Sequence, residues 1–259
     1  MKTFKCRGLV LREYEAGEAD KRLVVLCKEF GKLIIYARGA RKPKSKFLAA
    51  SQVLTYGDYV VADGKQFFSM NQAEIIENFY PIRQDYDKLC HAQYVLEICE
   101  KTVPSRTECD QLLRLVLKTL QHISNVATDE ITPNNNSKSV QLSTELALKQ
   151  IVCVFLFRFF VFNGLAPEME SCCICGNELD AATIFCDEGM VCRECQKHKL
   201  SKTRMQISLA AQEAIRYILK SELNKAFMFE VEGSVLRELY RAAQLCWEGH
   251  FSVVLQSEV

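Results

Sequence analysis

Four cysteines in two closely spaced pairs are the residues of this chain with the clearest chemistry. Each pair has the spacing Cys-x-x-Cys, and sixteen residues separate one pair from the other. This spacing is typical of a structural zinc site, in which four thiolates surround the metal as a tetrahedron. The predicted ligands are Cys172, Cys175, Cys192 and Cys195. Four thiolates leave no open coordination position for a catalytic water, so the predicted Zn²⁺ stabilises a fold.

Other side chains near the two pairs are weaker ligand candidates. Cys173 would form a Cys-x-Cys pair with Cys175, which is less usual than the pair made by Cys172. Cys186 lies in the middle of the intervening segment and is expected to take no part, and His198 ranks below four thiolates. The remaining seven cysteines are isolated in apolar surroundings and are expected to be small core residues: Cys6, Cys27, Cys90, Cys99, Cys109, Cys153 and Cys246.

Charge is unevenly distributed along the chain. The net charge is +1, but residues 1–80 carry fourteen Lys and Arg against nine Asp and Glu, and the remainder carries nineteen against twenty-three. The excess of positive charge in residues 1–80 predicts an anionic partner for that part of the chain. The longest apolar run, Ile151–Phe162, contains Arg158 and is shorter than a membrane span, so no membrane partner is expected. With no targeting segment in view, the expected location is the cytoplasm.

Residues 1–80 contain short runs of β-branched and aromatic residues separated by glycines. Gly31 predicts a tight hairpin turn. Five strands in about eighty residues fit a small closed barrel, and the OB-fold is the commonest such barrel that meets an anionic polymer. An SH3-like barrel fits the same pattern. The runs span Phe4–Arg12, Arg22–Cys27, Lys32–Arg38, Gln52–Ala62 and Gln66–Glu74.

From about residue 82 the apolar period becomes helical, which makes the predicted fold class α+β. We expect helices over 86–102, from a capping box at Ser105–Glu108, and over about 144–162, 209–224 and 234–248, with an exposed loop over 125–141. The predicted domains are an OB-fold nucleic-acid-binding domain over 1–80 and a helical domain over 81–259. A zinc-binding module is inserted in the latter at about 168–200.

The segment that follows the third predicted strand is strongly basic. It carries five positive charges in nine residues without an acid: Arg38, Arg41, Lys42, Lys44 and Lys46. Gly39 and Pro43 make it a loop. A loop with so much like charge is either solvated or meets a polyanion, and phosphate backbones are the obvious partner. Tyr36, Phe47 and Tyr56 lie near enough in sequence to offer faces on which bases could stack.

Motifs of enzyme active sites are missing from the sequence. There is no phosphate-binding loop, dinucleotide fingerprint or zinc-hydrolase motif, and the four histidines fall in no pattern. The stretch Gly17–Asp20 offers two carboxylates without a neighbouring base, and we expect it to shape a turn beside Lys21 and Arg22. We therefore expect no enzyme and no catalytic residue.

Four blocks of residues, taken in this order and spacing, resemble the RecO family of bacterial recombination mediators. They are Leu11–Lys21, Ala37–Phe47, Gln72–Glu74, and Gly164–Pro167 running into the Cys172/Cys175 pair. The resemblance covers essentially the whole chain. It implies an N-terminal OB-fold, a helical bundle and an inserted zinc module.

The resemblance also implies a function without catalysis. It predicts binding to single- and double-stranded DNA, annealing of complementary strands and, with RecR, loading of RecA onto single strands coated by the single-stranded-DNA-binding protein SSB. It implies a location at the nucleoid, DNA contacts by the five cations of the basic segment, and metal binding by the four paired cysteines. The alternative is a zinc-ribbon and OB-fold accessory factor of transcription or translation.

Overall fold

The computed structural model describes residues 3–64, 67–105, 107–127, 137–179, 183–197 and 204–257. Contacts between Cα atoms divide the chain into two compact units. The first unit comprises Met1–Ser124 with Leu255–Val259, and the second comprises Asn125–Val254. Three helices that follow residue 80 therefore cluster with the N-terminal strands. The domain boundaries expected from the sequence, near residue 80 and around 168–200, remain predictions.

Five strands form a closed barrel in the first unit, as the sequence predicts. They are β1 (Thr3–Ala16), β2 (Asp20–Cys27), β3 (Gly31–Ala37), β4 (Tyr56–Ala62) and β5 (Phe68–Glu77). The order around the barrel is β1-β2-β3-β5-β4, and β4 pairs with β1 to close it. All pairs are antiparallel except that between β3 and β5. This Greek-key order is that of an OB-fold and excludes the SH3-like alternative.

The barrel core follows from the two-residue period of its strands. Leu23 and Val25 on β2, and Leu33 and Ile35 on β3, point into the core and are almost fully buried. The hairpin predicted at Gly31 is confirmed, because Gly31 is paired with Cys27 at the end of β2. The intervening side chains of β2 and β3 therefore lie on the outer face of the barrel.

Two longer helices follow the barrel after a single turn of helix α1 (Tyr80–Arg83). Helix α2 (Tyr86–Thr102) has the bounds that the sequence predicts, and the Asp85 side chain caps it by accepting a hydrogen bond from the Lys88 N–H at 3.0 Å. Helix α3 spans Asp110–Asn125.

The predicted start of α3 at the Ser105–Glu108 capping box was wrong. Residues before the helix pair instead with the β2–β3 turn: Ser105 forms a bridge with Gly31, and the Cys109 N–H donates to the Lys28 carbonyl at 2.9 Å. The backbone groups that a capping box would satisfy are bonded instead to the backbone around the β2–β3 turn. The helix therefore begins only at Asp110.

The second unit is helical and contains one small hairpin. Its elements are α4 (Ser137–Phe162), β6 (Ile184–Cys186), β7 (Gly189–Val191), α5 (Leu209–Lys220) and α6 (Gly233–His250). The aromatic side chains at the end of α4, from Phe155 to Phe160, are buried, as expected for a central helix. α4 begins before the predicted residue 144, and most of the loop predicted over 125–141 lies outside the described residues. None of the described helices combines the length and the hydropathy that a membrane-spanning segment requires.

The C-terminal segment of the chain is held by one carboxylate of the first unit. The N–H groups of Gln256 and Ser257 donate to Glu97 at 2.8 and 2.9 Å, and the Ser257 hydroxyl also donates to it. Lys101 adds an ion pair at 2.5 Å. Burial by itself would raise the pKa of Glu97, but these donors lower it to about 2.

Ionised Glu97 is therefore expected to stabilise the first unit in a pH-dependent way. Its pKa is lower in the folded state than its ordinary value of 4.5, so the stabilisation is present above about pH 5 and is lost as the pH falls toward 2. The contribution is at most about 3 kcal/mol. Urea unfolding of the wild type and of Glu97→Gln between pH 3 and 7 should give a difference that shrinks as the pH falls. A difference independent of pH would contradict this account.

Candidate nucleic-acid interface and metal centre

The basic loop, residues 38–46, runs from the end of β3 through a series of tight turns. Lys42 N–H donates to the Gly39 carbonyl at 3.1 Å, and Ser45 N–H donates to the Lys42 carbonyl at 2.9 Å. Gly39 has a φ of 66°, a conformation that glycine adopts without strain. Ala40, inside the loop, and Phe47, just after it, are buried in the barrel core. The loop is thus anchored by apolar side chains while its charged residues stay at the surface.

The turn between β1 and β2 clamps this loop through its backbone. Asp20 accepts a hydrogen bond from the Gly39 N–H at 2.6 Å, and the Ala19 carbonyl accepts one from the Arg41 N–H at 2.9 Å. A hydrogen bond to an ionised carboxylate is among the stronger ones in proteins. The carboxylate of Asp20 therefore holds the loop, whereas the sequence assigned it to the turn beside Lys21 and Arg22.

The side chain of Arg41 is part of the same clamp. It donates to the carbonyls of Gly17 and Glu18, both at 3.3 Å, and pairs with the carboxylate of Glu15 at 2.9 Å. These contacts use the guanidinium to hold the loop against the β1–β2 turn. Arg41 is therefore a residue that positions the basic loop.

Lys46, at the other end of the basic loop, is also partly engaged. Its ammonium donates to the Asn71 carbonyl at 3.2 Å and lies 4.8 Å from the centroid of the Phe47 ring. The lysine remains exposed, so its charge can still act on solvent and ligands.

Three cations of the basic loop, Arg38, Lys42 and Lys44, are exposed. Within the part of the chain that the structure describes, no carboxylate pairs with any of the three. Lys5 on β1, by contrast, is neutralised by Asp58 at 2.9 Å. The sequence presents five equivalent cations, whereas the structure distinguishes three open ones from two with local partners.

The aromatic residues expected near the loop differ in accessibility. Phe47 is only 7% exposed and belongs to the barrel core, so it cannot offer a face for stacking, contrary to the expectation from the sequence. Tyr36 and Tyr56 are partly exposed.

The four paired cysteines meet in one cluster. The Sγ atoms of Cys172, Cys175, Cys192 and Cys195 all lie within 4.8 Å of one another. Tetrahedral zinc with Zn–S bonds of about 2.3 Å requires sulfurs about 3.8 Å apart. The 3.7 Å between the sulfurs of Cys175 and Cys192 already has this spacing. The cluster can therefore hold one metal ion.

Local backbone structure brings the two pairs together. Gly176, at a φ of 72°, follows the first pair and donates its N–H to the Cys172 carbonyl at 2.8 Å, which closes a tight turn. Strand β7 ends at Val191, directly before Cys192. The hairpin thus delivers the second pair to the first, and the Cys173 N–H is bonded to the Met190 carbonyl at 2.9 Å.

The thiol of Cys172 loses its proton more readily than an ordinary cysteine thiol. Burial would raise the pKa of Cys172, but the N–H groups of Cys192, Cys175 and Ile174 point at its sulfur and lower that pKa to about 6. The contact from the Cys192 N–H is 3.4 Å long. Because thiolates are the ligands of zinc, this arrangement suits a metal site.

Cys173 and Cys186 lie beside the cluster and face each other. Their sulfurs are 3.9 Å apart, and neither belongs to the group of four. The third alternative ligand, His198, lies outside the described residues. Only the spacing of the cysteines signals which ones cluster, and the side-by-side placement of Cys173 and Cys186 carries no sequence signal.

Two family models together match most of the chain. Residues 1–79 match the family model "Recombination protein O N terminal". Residues 83–134 and 141–257 match "Recombination protein O C terminal". The chain belongs to the RecO family. The basic loop and the β1–β2 turn lie in the first of these matches, and the cysteine cluster lies in the second.

Individual RecO proteins align over most of the chain. The DNA repair protein RecO of Acetivibrio thermocellus is 32% identical over 248 residues, covering 94% of this chain and 90% of that protein. The DNA repair protein RecO of Alkaliphilus metalliredigens is 28% identical, with 85% and 82% covered. That of Clostridium novyi is 25% identical, with 93% and 87% covered.

The clamp predicts a specific effect of removing its carboxylate. Asp20→Ala should speed amide hydrogen exchange across residues 38–46 and lower the free energy of unfolding by about 1–3 kcal/mol, because it removes the acceptor of the Gly39 N–H. Glu18→Ala is the matched control, since Glu18 is exposed and only its carbonyl contacts Arg41. Equal exchange in both variants and the wild type would show that the carboxylate does not hold the loop.

Proposed function

We propose that this chain is a DNA-binding recombination mediator of DNA repair that acts without catalysis. Membership of the RecO family supports the proposal, since the aligned relatives are named DNA repair proteins. The observation that carries it is the set of three exposed cations, Arg38, Lys42 and Lys44, on a clamped loop of an OB-fold barrel. Cations held in place beside such a barrel can contact and neutralise the phosphates of a nucleic acid.

Electrostatics would supply the mechanism. Each phosphate neutralised by the loop releases condensed counterions, which favours binding to single and double strands alike. Two complementary strands held on one basic surface repel each other less and have a higher local concentration, so annealing needs neither a covalent step nor a nucleotide. Phosphate contacts carry no sequence information, so we expect no sequence preference from the loop.

We propose that the helical unit contacts protein partners and stabilises the fold. In this proposal the chain acts with RecR to load RecA onto strands covered by SSB. Structural Zn²⁺ held by Cys172, Cys175, Cys192 and Cys195 would link the β6–β7 hairpin to the preceding turn. A site of four thiolates adds folding free energy and leaves no position for a substrate.

The dependence of binding on salt tests the basic loop. Replacing Arg38, Lys42 and Lys44 by Ala should weaken binding to a single-stranded oligonucleotide. It should also flatten the log–log salt dependence by up to about 2, since each lost single-strand contact contributes about 0.7. Fluorescence anisotropy at several salt concentrations measures both quantities. The charge-conserving variant Arg38→Lys/Lys42→Arg/Lys44→Arg should keep the wild-type slope.

Two outcomes of that experiment would count against the proposal. Wild-type affinity in the triple alanine variant would remove the loop from the DNA interface. A strand-annealing assay on SSB-coated DNA separates a recombination mediator from a transcription or translation factor, because only the former should accelerate annealing there.

Metal content tests the cysteine cluster. Cys175→Ser should lower the zinc content measured by mass spectrometry and lower the melting temperature, because a hydroxyl is a poor replacement for a thiolate ligand. Cys173→Ser is the matched control and should keep its metal, since its sulfur faces Cys186. A full complement of zinc in Cys175→Ser would exclude Cys175 from the ligand set.

A further inference from the structure

Three residues form a row across neighbouring strands on the outer face of the barrel. Tyr14 on β1 is paired with Arg22 on β2, and Arg22 is paired with Tyr36 on β3. Side chains at directly paired positions lie on the same face of a sheet. Their neighbours Leu23 and Ile35 point into the core, so the row points outward. All three side chains of this aromatic row are partly exposed.

The middle residue of the row is stacked on the first. The guanidinium of Arg22 lies 4.7 Å from the centroid of the Tyr14 ring. The hydroxyl of Tyr14 donates to Glu100 on α2 at 2.8 Å, and Arg12 pairs with the same carboxylate at 3.1 Å. Tyr14 is therefore held in place from the helix side and supports the planar guanidinium of Arg22.

The cation of Arg22 is not neutralised by an acid. No ion pair to Arg22 occurs among the residues that the structure describes. A guanidinium with one face on an aromatic ring can receive a second flat group on its other face. The acidic partners on this part of the barrel are taken: Glu100 by Arg12 and Tyr14, and Asp20 by the Gly39 N–H.

The aromatic row continues into the basic loop. Tyr36 is the last but one residue of β3, and Arg38, an exposed cation of the loop, follows it by two residues. A strand whose phosphates meet the loop would thus have its neighbouring bases close to Tyr36 and Arg22. Proteins that bind single strands combine cations that contact the phosphates with flat side chains on which the bases stack.

We propose that the aromatic row is a binding site for unpaired nucleobases, which stack on the ring of Tyr36 and the guanidinium of Arg22. This inference rests on the proposed function and assigns the unpaired bases of a bound single strand to named residues. The bases of a duplex are stacked on each other, so only single strands can use the site. The basic loop then binds any nucleic acid, and the aromatic row favours unpaired strands without a sequence preference, since every base has a π-face.

Abasic oligonucleotides separate stacking from phosphate binding, because they keep the phosphates and lack the bases. The wild type should bind a normal single strand about tenfold more tightly than an abasic strand of equal length, as expected for one or two stacked bases. Tyr36→Ala should lose most of this preference and keep its affinity for duplex DNA. Tyr36→Phe should retain the preference, and Arg22→Lys, which keeps the charge, should lose part of it.

A 2-aminopurine base in the strand gives a second readout, since its fluorescence should be quenched on binding to the wild type and less so on binding to Tyr36→Ala. Tyr86→Ala is the matched control, because Tyr86 is 80% exposed and lies on α2 away from the row in sequence. Salt-dependent binding with equal affinity for normal and abasic strands would overturn the stacking site and leave the proposed function intact. Failure to bind any oligonucleotide in dilute buffer would refute both.

Discussion

Mutual repulsion within the basic loop is the constraint on which the proposed nucleic-acid interface depends. Five positive charges in nine residues would spread apart in solution if nothing opposed them. The β1–β2 turn opposes this with a carboxylate on the Gly39 N–H and several acceptors around Arg41. One cation is thereby used to fix the positions of the others. A preorganised set of charges loses less entropy on binding than a mobile one.

The second unit meets a different constraint, because its small hairpin cannot bury enough apolar surface to be stable alone. Strands β6 and β7 have three residues each, and an isolated two-stranded hairpin is at best marginally stable in water. Phe185 and Met190 of the hairpin are fully buried, and the four clustered sulfurs provide a further link to the rest of the module. The proposed metal would thus stabilise this module, as apolar packing stabilises α4 through the buried Phe155, Phe157, Phe159 and Phe160.

Sequence patterns predicted what depends on local period and spacing. The two-residue alternation of Leu23, Val25 and Ile35 indicates barrel strands, and the helical period indicates α2 with its observed bounds. The predicted start of α3 was wrong because Ser105, the first residue of the predicted capping box, pairs with Gly31, which is distant in sequence. Nothing in the local sequence shows that pairing. The unequal roles of Arg41 and Lys42 are hidden for the same reason, since they depend on the β1–β2 turn.

The register of the strands carries information that neither composition nor motif holds. Tyr14, Arg22 and Tyr36 are separated by eight and fourteen residues, and only the pairing of β1, β2 and β3 brings them side by side. If they stack bases as proposed, a bound strand would have few bases sequestered at once, because the row offers only about two flat faces. The other bases would stay free to find a complement while their phosphates are held. A narrow stacking site beside a basic loop is therefore compatible with annealing, whereas a long groove that covered every base would oppose it.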